Sequence, residues 1–167
     1  NEKRVVKFYR KMIQNCYNVL SPFSPPSAAI KAGKLVLSQI HEFANSGIDF
    51  AFESTLSGKL YVNLFRKLKI KGYKIHLFFL WIPNIELSIA RIKDRVAEGG
   101  HNVPVQDIKR RFKRSICNFF KLYKPLLDSW MLFNNAGCIP KLIAKVNNGK
   151  IIVSDIELFE KIKKLAR

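Results

Sequence analysis

The stretch Tyr73 to Ile82 constrains this chain more than any other, because Ile75, Leu77, Phe78, Phe79, Leu80, Trp81 and Ile82 are apolar without alternation. A strand with one wet face alternates apolar and polar residues. An unbroken run instead reads as burial on both faces, as in a parallel sheet covered by helices. Lys74 and Pro83 bound the run, which is far too short to span a bilayer, and no transmembrane helix is expected.

Helix and strand signals alternate around this run. From Ser27 to about Ala44, Ala28, Ala32, Leu35, Val36, Ile40 and Phe43 recur at helical spacing, and Asn45-Ser46-Gly47 ends the helix. Ile48 to Phe52, apolar apart from Asp49, suits a buried strand. Ser57 and Gly58 open a second helix with Leu60, Leu64, Phe65 and Leu68 as its inner stripe, and Gly72 closes it. Ile85 to Ala97 reads as helix and Gly99 to Pro104 as loop. Val105 to about Leu127 reads as a long basic helix or helix pair. Trp130 to Phe133 is a strand, Lys141–Val146 and Lys150–Val153 form a hairpin around Asn147-Asn148-Gly149, and Asp155 to Ala166 is a closing helix. Upstream, Asn1 to Val19 is basic with a poor helical period, and Ser21 to Pro26 is a loop that its prolines keep from being helical. The alternation defines an α/β layered domain.

With 167 residues, 48% of them hydrophobic, the chain fits one domain and can collapse around a real core. Cys16, Cys117 and Cys138 are odd in number and far apart, without a CxxC pair or clustered histidines, so neither a disulfide framework nor a metal site is expected. No apolar stretch suited to a signal peptide follows Asn1–Arg10, which places the protein in the cytoplasm. Thirty Lys and Arg against twelve Asp and Glu leave a net charge of +18, which calls for anionic partners.

Two segments carry candidate chemistry. In Phe50 to Gly58, Glu53, Thr55 and Ser57 stand where a strand gives way to a loop and helix, the edge at which open α/β sheets bind ligands. A Glu there can orient or deprotonate a hydroxyl, and Ser and Thr can bind phosphate. The plainer alternative makes Glu53 a solvated strand end and Ser57 a helix cap. Ser57-Gly58-Lys59 is not a phosphate-binding P-loop, because Glu53 stands where a Gly is needed and Leu60 where a Ser or Thr is needed. Gly-Lys-Ser or Gly-Lys-Thr occurs nowhere in the chain.

The second segment runs from Arg91 to Arg114. Arg91 and Arg95 lie one helical turn apart, and Arg110, Arg111 and Arg114 cluster beyond the Gly99-Gly100-His101 loop. Two arginine-bearing helices joined by such a loop make a lid that can close over phosphates, since Arg keeps its charge and offers a planar fork of donors. A solvated basic face is the alternative. His101 reads as a loop residue and Asn118, Phe119, Phe120, Leu122 and Tyr123 as core with a polar edge. The remaining basic runs are spread over nearly every helix without a recognition helix or stacking aromatics, which disfavours nucleic acid as the partner.

Leu20-Ser21-Pro22-Phe23, Ser27 to Leu35, Phe50 to Gly58, His76 to Trp81, Arg95-Val96, Gly99 to Pro104, Arg110-Arg111-Phe112 and Asp128-Ser129-Trp130 recur in order in one family. With them the chain resembles the zeta toxins, and more closely their branch of predicted ABC-type ATPases, over about Leu20 to Ala144. The resemblance implies a three-layer P-loop kinase-like parallel sheet with helices on both faces, followed by a C-terminal hairpin and helix. It also implies ATP and Mg2+ as cofactors, phosphoryl transfer to a hydroxyl, as of a UDP-N-acetylaminosugar, and an antitoxin protein as partner. Glu53 and Thr55 match the family's substrate-side Glu-x-Thr element, beside Ser57, where some toxins carry Arg. Arg95, Arg111 and Arg114 are the candidate catalytic arginines, with Arg91, His101 and Arg110 elsewhere in a lid of about residues 91–115.

The family begins with a strand, a Walker A loop, a helix and a second strand bearing an Asn-Ala-Asp element, none of which occurs in residues 1–19. The expectation is therefore an α/β domain over 20–167 behind a basic segment 1–19, truncated or frame-shifted, in which phosphotransfer is impaired and ATP is bound poorly. The absent first strand would lie between the Glu53 strand and the Tyr73 strand, so its loss would expose sheet edges. The competing reading is a non-enzymatic basic module for nucleic acid or an acidic protein.

Overall fold

The computed structural model describes residues 26–100, 102–147 and 149–166; segment 1–19, the proline loop before Pro26 and His101 lie outside these. The chain divides into two compact units, one reaching to Ser54 with the 99–101 stretch, the other comprising Thr55–Glu98 with Asn102 onward.

In the first unit, α1 (Pro26–Asn45) forms as its spacing predicts. Pro26 at the start supplies a φ already suited to the first turn. At the other end Gly47 takes φ +67° and the Ile48 N–H donates to the Phe43 carbonyl at 3.0 Å, the left-handed closure that a side chain would resist. Ile40 and Ala44 are buried while Leu35 is exposed; the side chains of Ala28 and Ala32 lie outside the described residues. The expected strand at Ile48–Phe52 does not form. Its apolar content is used in ring packing instead, with Phe50 centred 6.3 Å from Phe43 and 6.4 Å from Phe52.

The second unit holds α2 (Leu60–Ile70), β1 (His76–Trp81), α3 (Ile85–Ala97), α4 (Val105–Asn118), a π-helical turn (Phe119–Tyr123), a short 3-10 turn (Lys124–Leu126), β2 (Ser129–Asn134), β3 (Lys141–Asn147), β4 (Lys150–Val153) and α5 (Ile156–Leu165). The sheet runs in the order β1-β2-β3-β4. The β1–β2 pair is parallel, with Leu77 opposite Trp130 and Phe79 opposite Leu132. The β2–β3 and β3–β4 pairs are antiparallel, and the register shifts between Leu132 and Phe133. The domain is thus α/β as expected, with the C-terminal hairpin and helix in place. Several boundaries follow local chemistry: the Asn84 and Asp155 side chains cap α3 and α5, accepting from the N–H groups of Leu87 at 2.8 Å and Leu158 at 2.9 Å.

The core lies on one face of the sheet. Phe119 is fully buried and meets Phe79 at 4.9 Å, Phe120 at 5.0 Å and Trp130 at 5.6 Å, while Trp130 stacks on Phe159 of α5 at 6.4 Å. Val62, Leu64, Phe65 and Leu68 make the buried side of α2; Leu60, expected there, is exposed because the helix begins at it and Val62 takes its place. On the other face of β1, Phe78 is 66% and Leu80 53% exposed. The run expected to be buried on both faces is therefore buried on one, and among the described residues β1 stands at the sheet edge. A strand of that composition is written for more cover than the described residues give it.

Asp128 joins the elements at the amino end of the parallel pair. One carboxylate oxygen accepts from Lys69 Nζ at 2.8 Å, the other from the Ile75 N–H at 2.8 Å, and Lys74 stands 3.8 Å away. The Lys69 hydrogen bond, then the Ile75 amide, hold this carboxyl below its ordinary value, against a smaller opposing effect of burial. The native chain therefore keeps Asp128 ionised to lower pH than the unfolded chain does. Its contribution is complete above about pH 4 and is lost as pH falls through the depressed native value.

Two measurements check this architecture. Asp128→Asn is expected to lower unfolding stability at pH 7 by about 1–3 kcal/mol and to flatten the acid limb of the stability profile, as read by urea titrations from pH 7 to pH 2.5. Phe78→Lys, at an exposed edge position, is expected to leave stability within about 0.5 kcal/mol in the same titration while lowering concentration-dependent light scattering.

Candidate functional site

The loop Thr55–Gly58, which leads into α2, is the most constrained surface segment of the second unit. Leu56 has φ +52°, the one non-glycine residue with positive φ among those described, yet its side chain is only 6% exposed. A left-handed conformation costs a residue with a Cβ about 1–2 kcal/mol, so the surroundings must hold it. They do so through the backbone. Asn118 Nδ2 donates to the Leu56 carbonyl at 2.8 Å, and the Tyr123 hydroxyl donates to the Gly58 carbonyl at 2.6 Å. Beside these two anchors the Thr55 and Ser57 hydroxyls lie 2.9 Å apart, and the Ser57 N–H reaches Thr55 Oγ1 at 3.5 Å.

Tyr123 is fully buried and meets Phe65 of α2 edge-on at 5.5 Å. Burial pushes its phenol up, against a smaller lowering from a backbone hydrogen bond with Tyr61, so near neutral pH it acts as a donor. Ser57 does not cap α2: Lys59 stands at the cap position, and no side chain there bonds the free amides. The plainer reading of Ser57 as a helix cap thus gives way to a paired hydroxyl on a pinned loop.

Glu53 is exposed and belongs to the first unit, while Thr55 and Ser57 belong to the second. The arginines divide by their contacts. Arg91 donates to the carbonyls of Ala136 at 3.2 Å and Gly137 at 3.4 Å, tying α3 to the turn after β2. Arg110 is paired with Asp107 at 2.7 Å within α4. Arg95 and Arg114 are exposed and Arg111 half-buried; His101 lies outside the described residues. Between α3 and α4 an open cleft of about 320 Å³ is lined by Ile89, Ile92, Val96, Val103, Val105 and Ile108, with Lys93 and Asn102 at its edge. The two helices therefore meet through apolar side chains. Their basic residues can face outward without an uncompensated charge in the contact.

Asn118 and Tyr123 are the residues that sequence reasoning missed as part of a site. An Asn at the end of an amphipathic helix, followed by a Phe-Phe-x-x-Tyr group, was the available signal, but only the fold shows that both side chains reach the same loop. Lys124, next in line, lies over Phe120 at 5.6 Å and Trp130 at 5.4 Å; burial and then Lys163 lower its ammonium below the ordinary lysine value. Among the described residues no group of His, Cys, Asp and Glu is placed to hold a metal ion, and no helix is long and apolar enough to cross a membrane.

A mixed sheet with a parallel pair, flanked by helices, defines an α/β protein. The sequence profile described as Zeta toxin matches residues 11–132, and the chain belongs to that family, whose members are kinase-like nucleotide-binding proteins that use ATP and Mg2+. It is 34% identical over 93 residues to an uncharacterized protein of Haemophilus influenzae (strain ATCC 51907 / DSM 11121 / KW20 / Rd), a match covering 56% of this chain and 66% of the relative. No solved structure matches the chain.

Arg91→Ala removes both bonds to the β2–β3 turn. It is expected to lower stability by about 1 kcal/mol in urea titration and to raise amide exchange at Asn135–Gly137 relative to β2, while the α3 amides near Ile85 keep their protection.

Proposed function

We propose that this chain carries the acceptor side of a zeta-toxin-like phosphotransferase and binds a UDP-N-acetylaminosugar or a closely similar sugar nucleotide. The observation that carries the reading is the Thr55–Ser57 hydroxyl pair, 2.9 Å apart on a loop held at both carbonyls. Paired hydroxyls fixed in this way can bind a sugar or phosphate without the entropy loss of ordering the loop at each encounter. In this reading Glu53 orients the acceptor hydroxyl and accepts its proton. Arg95, Arg111 and Arg114 neutralise phosphate oxygens, with Arg91, Arg110 and His101 shaping the lid of residues 91–115. The bonds of Arg91 and Arg110 to protein partners support giving them this structural share.

The residues present do not fit a complete ATP–Mg2+ site. The sequence lacks Gly-Lys-Ser and Gly-Lys-Thr, and the described carboxylates form no metal-holding group, so no step is routed through that cofactor. We accordingly expect weak ATP binding and impaired phosphotransfer from this chain as it stands. The dispersed positive charge suits an acidic antitoxin-like partner in the cytoplasm better than nucleic acid.

Calorimetric titration of the chain with UDP-N-acetylglucosamine, and separately with ATP and Mg2+, tests the reading. Binding of the sugar nucleotide, weakened about tenfold by Thr55→Val and by Glu53→Ala, is the expected result, with ATP much weaker. Tight ATP binding, or sugar-nucleotide binding indifferent to both substitutions, contradicts it. Binding only to anionic polymers, abolished by salt and by loss of Arg110, Arg111 and Arg114, would favour the basic-module alternative.

A further inference from the structure

We infer that Asn118 and Tyr123 are positioning residues that set the geometry of the Thr55–Ser57 hydroxyl pair, and that the π-helical turn between them is the device that aims both at the loop. The inference rests on the substrate reading above for its functional consequence, but its structural half stands alone.

The two residues are five apart. In an α-helix that spacing separates side chains by about 140° around the axis, so they would face different neighbours. The Phe119–Tyr123 segment is instead π-helical, and its wider turn returns the fifth residue towards the side of the first. Asn118, the last residue of α4, and Tyr123, the last of the π turn, thereby both reach the loop, one at the Leu56 carbonyl and the other at the Gly58 carbonyl. The wider turn has a second use. It places Phe119, fully buried, against Phe79 and Trp130, so the segment that aims the two donors is itself fixed in the core.

Leu56 supplies the reason that two donors are needed. Its positive φ is disfavoured for a leucine, and the loop would relax to an ordinary conformation if released. A return of φ at Leu56 to the ordinary region would turn the Thr55–Leu56 peptide group relative to Ser57 and so change the separation of Thr55 Oγ1 and Ser57 Oγ. Holding the carbonyls on both sides of Ser57 prevents this. Local strain at a site with paired hydroxyls, maintained by two side chains that hold the neighbouring carbonyls, is the pattern of a preorganised binding loop.

Tyr123→Phe and Asn118→Ala test the assignment, the first retaining the ring that packs on Phe65. Amide exchange by NMR is compared at residues 56–58 and at β2, alongside urea titration and calorimetry with UDP-N-acetylglucosamine. The expected result is exchange about tenfold faster at residues 56–58 with β2 unchanged, and sugar-nucleotide affinity reduced about threefold to tenfold in each variant. A merely structural role would lower global stability and leave affinity and the relative exchange of the loop as in the parent. Loop exchange that stays at the parental rate in both variants overturns the inference, as does a loosened loop with unchanged affinity. If the parent chain binds no sugar nucleotide, the substrate reading fails by itself, and the exchange comparison alone then decides whether the two residues hold the loop.

Discussion

The carboxylate of Asp128 holds the second unit in register. It ties the last turn of α2, through Lys69, to the amide just before β1, and it does so from the residue that precedes β2. A helix, the strand it feeds and that strand's parallel neighbour thus converge on one side chain. Parallel strands cannot be joined by a tight turn, so their relative slide must be fixed by something other than a hairpin. Here Asp128 serves that purpose at the amino end, and the Asn135 N–H to Trp81 carbonyl bond at 2.7 Å closes the other end. With the slide set, Phe79, Trp130 and Leu132 line one face for Phe119 and α5 to cover, and the π turn is placed where its polar ends can reach the Thr55 loop.

Elements decided by short-range chemistry were legible in the sequence. The limits of α3 follow from Pro83-Asn84 and the glycines after Glu98, and the β3–β4 hairpin from Asn147-Asn148-Gly149, whose Gly149 takes φ +74°. What depended on distant partners was not. Ile48–Phe52 has strand composition but is not a strand of the described residues, and its Phe50 packs on Phe43 and Phe52. The Val105–Leu127 stretch read as a long helix or helix pair, whereas the chain widens into a π turn at Phe119–Tyr123, with Phe119 against Phe79 and Trp130. The same limit applies to the site. Thr55 and Ser57 were visible as hydroxyls near a strand end, whereas Asn118 and Tyr123 lie more than sixty residues away and had the appearance of core.

The unbalanced burial of β1 connects fold and lineage. Its sequence is suited to an interior strand of the family's sheet, and in the described residues it is an edge with Phe78 and Leu80 exposed. The family match spans residues 11–132, and β1 lies within it.

The anchoring of the Thr55–Gly58 loop through its carbonyls also bears on how such a site can diverge. Asn118 and Tyr123 grip main-chain atoms, which every amino acid possesses, and leave the side chains at positions 55 and 57 outside the grip. A lineage can therefore exchange Ser57 for a larger or charged residue while the scaffold that presents it is inherited intact.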